Sequence, residues 1–152
     1  MESSNPANPV KVLIVEHKTS ATPQLLDTIR ERAQRGPCAF TLLVPRTTHG
    51  LHKVVDPHDQ ELGEARSELD HTLPAIREAA GMPVEGIVGD PDPVAAIADA
   101  INVRGFDEII ISTPSPRLAR WLRLDLPSKI SGMGLPVTQV TPSHHELHSA
   151  AA

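Results

Sequence analysis

Tyrosine is absent from this chain of 152 residues, tryptophan occurs once, and aromatic side chains make up 2 % of the whole. A core must therefore be filled with Val, Ile, Leu and Ala. The single cysteine, Cys38, removes any internal disulfide and any multi-cysteine zinc site, and fits a reducing compartment. Its neighbours Pro37, Ala39 and Phe40 mark it as a small buried side chain rather than a nucleophile. Basic charge is not in excess: Lys and Arg number 14 against 19 Asp and Glu, for a net charge of −5. That balance excludes broad nucleic-acid binding and leaves room for one small basic pocket. No apolar run reaches the length of a membrane span, and the opening "MESSNPANPV" lacks the basic and apolar regions of a signal peptide. The expectation is a soluble cytoplasmic protein with no membrane partner.

What is present is 39 % hydrophobic residues, enough for one domain with a proper core. Short β-branched runs alternate with helical patterns. "VKVLIV" (10–15), "AFTLLV" (39–44), "VEGIVG" (84–89), "DEIIIS" (107–112) and "PVTQV" (136–140) read as strands. Between the first two, Leu25, Leu26, Ile29 and Ala33 recur at helical spacing, with Gly36 as the stop. The segment 58–81 reads as a long helix with Leu62, Ala65, Leu69, Leu73, Ile76 and Ala80 inward, which Pro74 should kink or divide. Asp92 as N-cap, Pro93 in the first turn and Gly105 beyond the end bracket a third helix. The stretch from Arg117 to Gly132 reads as helical in two pieces, with Leu118, Trp121 and Leu122 inward. Such alternation predicts an α/β domain over 10–142: a five-stranded, mostly parallel sheet with helices on both faces, doubly wound and Rossmann-like. Residues 1–9 and 143–152 read as flexible ends.

In an open sheet of this kind, ligands sit beyond the carboxyl ends of the strands, where strand order reverses. The loops concerned carry Glu16, His17 and Lys18; Val44; Gly89 and Asp90; and Ser112, Thr113, Ser115 and Arg117. Hydroxyls and cations gathered beside helix N-termini favour an anion. Arg117, Arg120 and Arg123 also satisfy a plainer reading as the solvated face of an amphipathic helix. His17, with an unperturbed pKa about 6.5, is the acid–base group nearest this place, and Ser112 or Thr113 the only hydroxyls to pair with it. No Gly-x-Ser-x-Gly elbow orients such a pair, so no catalytic residue is assigned and an enzyme is the weaker reading. His49, His52, Asp56 and His58 have the side chains of a metal site but no fixed spacing to support one, so no metal ligand is assigned.

"VLIVEHKTS", "VEGIVGDPDPVAAIADA", "FDEIIIS" and "LPVTQVTP" together resemble the universal stress protein family along nearly the whole chain, with Glu16 where an aspartate is usual. The resemblance implies a sheet order 3-2-1-4-5, a nucleotide pocket between strands 1 and 4 for ATP or AMP, and a homodimer formed through the last strand, Pro136 to Val140. Family members that bind ATP carry Gly, two residues, Gly, nine residues, Gly, then Ser or Thr after strand 4. Here Ser112, Ser115, Asp125 and Leu126 fall on those positions, so every glycine is missing. A two-residue slip brings Ser128 to the last position. Without glycines the backbone cannot approach phosphates as closely, and Pro114 and Pro116 contribute no N–H. The expectation is a non-catalytic, stress-related or regulatory binding protein with a nucleotide- or anion-type pocket. The alternative is a structural, partner-binding homodimer whose pocket has degenerated.

Overall fold

A computed structural model of the chain describes residues 9–17, 21–46, 57–113, 116–124 and 136–140. Lys18, His49, His52, Asp56, Ser115, Ser128 and both ends of the chain lie outside the described residues, as does the side chain of His58. Among the described residues nine elements alternate strictly: β1 (Val10–Glu16), α1 (Pro23–Gln34), β2 (Cys38–Pro45), α2 (Pro57–Ala80), β3 (Val84–Gly89), α3 (Pro93–Arg104), β4 (Glu108–Ser112), α4 (Pro116–Leu124) and β5 (Val137–Val140). The strands form one sheet in the order β3-β2-β1-β4-β5, and every pairing is parallel.

Alternation along the central strand divides the core into two layers. Val12 and Ile14 turn to one face and pack with Leu25 and Ile29 of α1 and with Leu69 and Ile76 of α2. Leu13 and Val15 turn to the other face, against Ile97 and Ile101 of α3 and Leu118 of α4. All four β1 side chains are fully buried. Each stabilises the fold by roughly 1.5–3 kcal/mol relative to exposure. Cys38 is buried, as its apolar neighbours require.

The helix ends follow from local chemistry. Thr22 Oγ1 accepts from the Leu25 N–H at 3.2 Å and caps α1, while Asp92 Oδ1 accepts from the Val94 N–H at 3.0 Å and caps α3. Gly105 closes α3 at φ 77°, a left-handed conformation that a side chain would strain. Pro74 does not divide α2, which runs unbroken past it. Pro74 is exposed, so the carbonyl it leaves without a helical donor faces water instead of the core.

At the amino ends of the strands, α1 is tied to β4 by an ion pair. Arg32 Nε donates to both Glu108 carboxylate oxygens, at 3.0 and 3.1 Å, and Arg32 is 7 % exposed. The carboxyl ends of β1 to β4, at Glu16, Pro45, Gly89 and Ser112, thus lie at the opposite end of a sheet clamped at its base.

Candidate functional site

Strand order reverses at β1, which has β2 on one side and β4 on the other. The register sets Glu16 directly beside Ser112. Just beyond that pair the two strands are clasped twice. The His17 N–H donates to the Ser112 carbonyl at 3.0 Å, and His17 Nδ1 lies 2.8 Å from Thr113 Oγ1. Which of the two is the donor in the second bond depends on the imidazole tautomer. Ser112 and Thr113 are both fully buried polar residues, 0 % and 1 % exposed. The Thr113 hydroxyl therefore ties the end of β4 to the end of β1 from within, and Arg117 is exposed in the first turn of α4.

Glu16 occupies the same strand end but turns the other way, toward α2. It is 2 % exposed, and neither carboxylate oxygen has a hydrogen-bond partner among the described residues. Glu68 and Thr72 of α2 face it; the Thr72 hydroxyl, which tempers the shift, lies 3.4 Å from Glu68 Oε2 and does not satisfy Glu16. Burial, reinforced by the Glu68 charge, pushes the Glu16 pKa up to about 8, so at neutral pH the group is mostly the neutral acid. A neutral carboxyl does not repel an anion bound on the β4 side.

The remaining sequence candidates have structural work of their own. Val44 is in the core layer under α1 and α2. Gly89 has α3 pressed against it: a Cβ there would lie 2.8 Å from both Ala96 Cβ and Leu43 Cδ1. Asp90 Oδ1 accepts from the Asp92 N–H at 2.9 Å and shapes the turn into α3. The cleft thus brings together His17, Ser112 and Thr113, while Val44, Gly89 and Asp90 form the neighbouring strand ends. Glu68 and Thr72, which govern Glu16, carry no sequence signal, because helical periodicity does not say which residue of one element faces a strand end in another. Among the described residues no group of His, Cys, Asp and Glu is placed to hold a metal ion. Among the same residues no helix is long and apolar enough to cross a membrane.

A five-stranded parallel sheet in this order, covered by helices, is the doubly wound α/β class with its cleft at the β1/β4 switch. Solved structures narrow the class: the fold is that of universal stress proteins. A universal stress protein family protein from Arabidopsis thaliana, with AMP bound, matches at a TM-score of 0.55 and 12 % identity over 91 % of this chain and 95 % of that one. One from Burkholderia pseudomallei matches at 0.54 and 19 % identity, over 85 % and 94 % of the two chains. The universal stress protein from Archaeoglobus fulgidus in complex with dAMP gives 0.52 and 17 % identity, over 86 % and 96 %. No family sequence model and no curated protein sequence matches the chain.

Proposed function

We propose that this chain is a divergent universal stress protein, cytoplasmic and non-catalytic, that binds a nucleotide or a smaller anion in the cleft between β1 and β4. The observation that carries this reading is the double clasp of His17 to Ser112 and Thr113, which holds polar groups ready at the switch point of the sheet. Fold relatives that carry AMP and dAMP support the ligand class. The absence of the glycine motif makes side chains, with Arg117 foremost, the anion-binding groups in place of backbone amides. AMP, with a single phosphate to hold, suits such a site better than ATP.

Calorimetric titration with AMP tests this. The wild-type protein binds, Arg117→Ala weakens binding about tenfold, the equivalent of about 1.4 kcal/mol, and the melting temperature is unchanged. Equal affinity in the two proteins contradicts the assignment of Arg117. A second reading rests on β5, whose only strand neighbour among the described residues is β4. Paired edge to edge through Pro136–Val140, two copies make a symmetric homodimer, with or without a ligand.

A further inference from the structure

The other edge of the sheet, β3, is open in a different way. The Arg46 N–H donates to the Gly89 carbonyl at 3.0 Å, so Gly89 turns its peptide groups toward β2. Alternation along the strand then turns Glu85 and Ile87 the same way, and Val84, Gly86 and Val88 outward. The Val84 carbonyl accepts from Arg77 Nε and Nη2 of α2, at 3.2 and 3.1 Å. The outward N–H and C=O groups of Gly86 and Val88 meet no partner among the described residues. They lie in a cavity of about 580 Å³ bounded by the strand edge, by α2 at Arg66 and Leu69, and by α3 at Ala96, Ala100 and Val103. Val103 is 82 % exposed at its rim.

Two helices stand directly over this edge. A Cβ on Gly86 would lie 2.8 Å from Leu69 Cδ2 of α2, and one on Gly89 2.8 Å from Ala96 Cβ of α3. A second copy paired through β3 would bring its own α2 and α3 to the same places. Paired strands lie about 4.8 Å apart, whereas packed helices need 8–10 Å between axes. The slot therefore has room for a lone extended strand and not for a second helix-covered sheet. Arg66 stands on the α2 side and Asp99 on the α3 side, and neither forms an ion pair among the described residues; Arg104, also on the α3 side, is held by Glu85 at 3.0 Å.

The geometry points to the β3 edge as a docking groove for an extended peptide segment of a partner protein, added as a sixth strand between α2 and α3. Its backbone pairs with Gly86 and Val88. Successive side chains of a strand point to opposite faces, so the recognised segment carries adjacent residues of opposite charge. The acidic one faces Arg66, and the basic one faces Asp99. Their neighbours are small or β-branched and pack toward Leu69, Ala100 and Val103.

The probe is a fluorescent hexapeptide, acetyl-Thr-Val-Glu-Lys-Val-Thr-amide, followed by anisotropy. Binding is expected, with the Gly86 and Val88 amides slowed in hydrogen exchange. N-methylation of alternate peptide nitrogens should weaken it at least tenfold. Replacing the peptide Glu by Gln should cost several-fold with wild-type protein and nothing further with Arg66→Ala, a variant of an exposed residue whose fold is checked by its melting curve. No binding, equal binding of the N-methylated peptide, or independent losses from the two replacements would overturn the proposal. So would self-association of the protein that disappears in Arg66→Glu, since it would assign the edge to a second copy. None of these outcomes depends on AMP binding at β1/β4, so this proposal and that one fail separately.

Discussion

Glu16 buries a carboxyl group with no hydrogen bond among the described residues, which makes it the residue there whose chemistry differs most from its ordinary behaviour. In the unfolded chain it ionises near its model value of 4.5; in the fold, burial and Glu68 hold it protonated up to about pH 8. Between those values the unfolded state has released a proton that the native state retains, so stability falls as pH rises through that window. The slope is at most about 1.4 kcal/mol per pH unit from this one group. Urea unfolding of wild type and Glu16→Gln from pH 5 to pH 8 should give curves that diverge, with the Gln variant relatively more stable at the alkaline end. Parallel curves would mean that Glu16 is solvated or paired. The opposite case is Arg32, buried with its partner Glu108. Arg32→Ala leaves Glu108 with only the exposed Arg35, 3.9 Å away, and should cost about 3 kcal/mol in urea unfolding, whereas replacing both residues by Leu should restore much of that loss. From sequence, Glu16 is legible as a strand-end acid but its burial is not, and no spacing singles out Arg32. Both depend on contacts between elements far apart in the chain.

The elements themselves are legible where their stop and start signals are local. Asp92, Pro93 and Gly105 bound α3 by capping chemistry, and the structure has the helix at Pro93–Arg104. Asp92→Ala should cost about 1 kcal/mol of thermal stability, measured at pH 7 where the carboxylate is charged. Pro74 is a local signal that tertiary structure overrides: α2 is held by Leu69, Leu73 and Ile76 against the sheet, so a missing hydrogen bond on its exposed side does not end it. Gly86 carries the reverse lesson. A glycine inside a strand pattern marks a close approach, and here the approaching group is the Leu69 side chain. Gly86→Val should push α2 away from the edge strand and destabilise the protein by about 1–3 kcal/mol in urea unfolding. A neutral result would show that α2 shifts freely.

For the whole molecule, the order β3-β2-β1-β4-β5 fixes one switch point and leaves two edges. The topology is legible because parallel strands buried on both faces read as unbroken apolar runs, and short β-branched runs alternate with helices among the described residues. The cleft is legible only as a place. That the Thr113 hydroxyl meets the His17 ring, while Glu16 turns to α2, follows from side-chain direction at strand ends, which spacing does not encode. The two edges predict different behaviour. Sedimentation at micromolar concentration should show a dimer that Gln139→Lys, at the exposed position of β5, shifts toward monomer, while Arg66→Glu beside β3 leaves it intact. The account's central claim, an occupied cleft without the glycine motif, is tested most directly by native mass spectrometry of protein titrated with AMP, alongside Arg117→Ala. The account predicts one AMP per chain on the wild-type protein and markedly less on the variant. A wild-type protein that carries no adduct with AMP, ATP or inorganic phosphate would contradict it and leave the cleft as architecture.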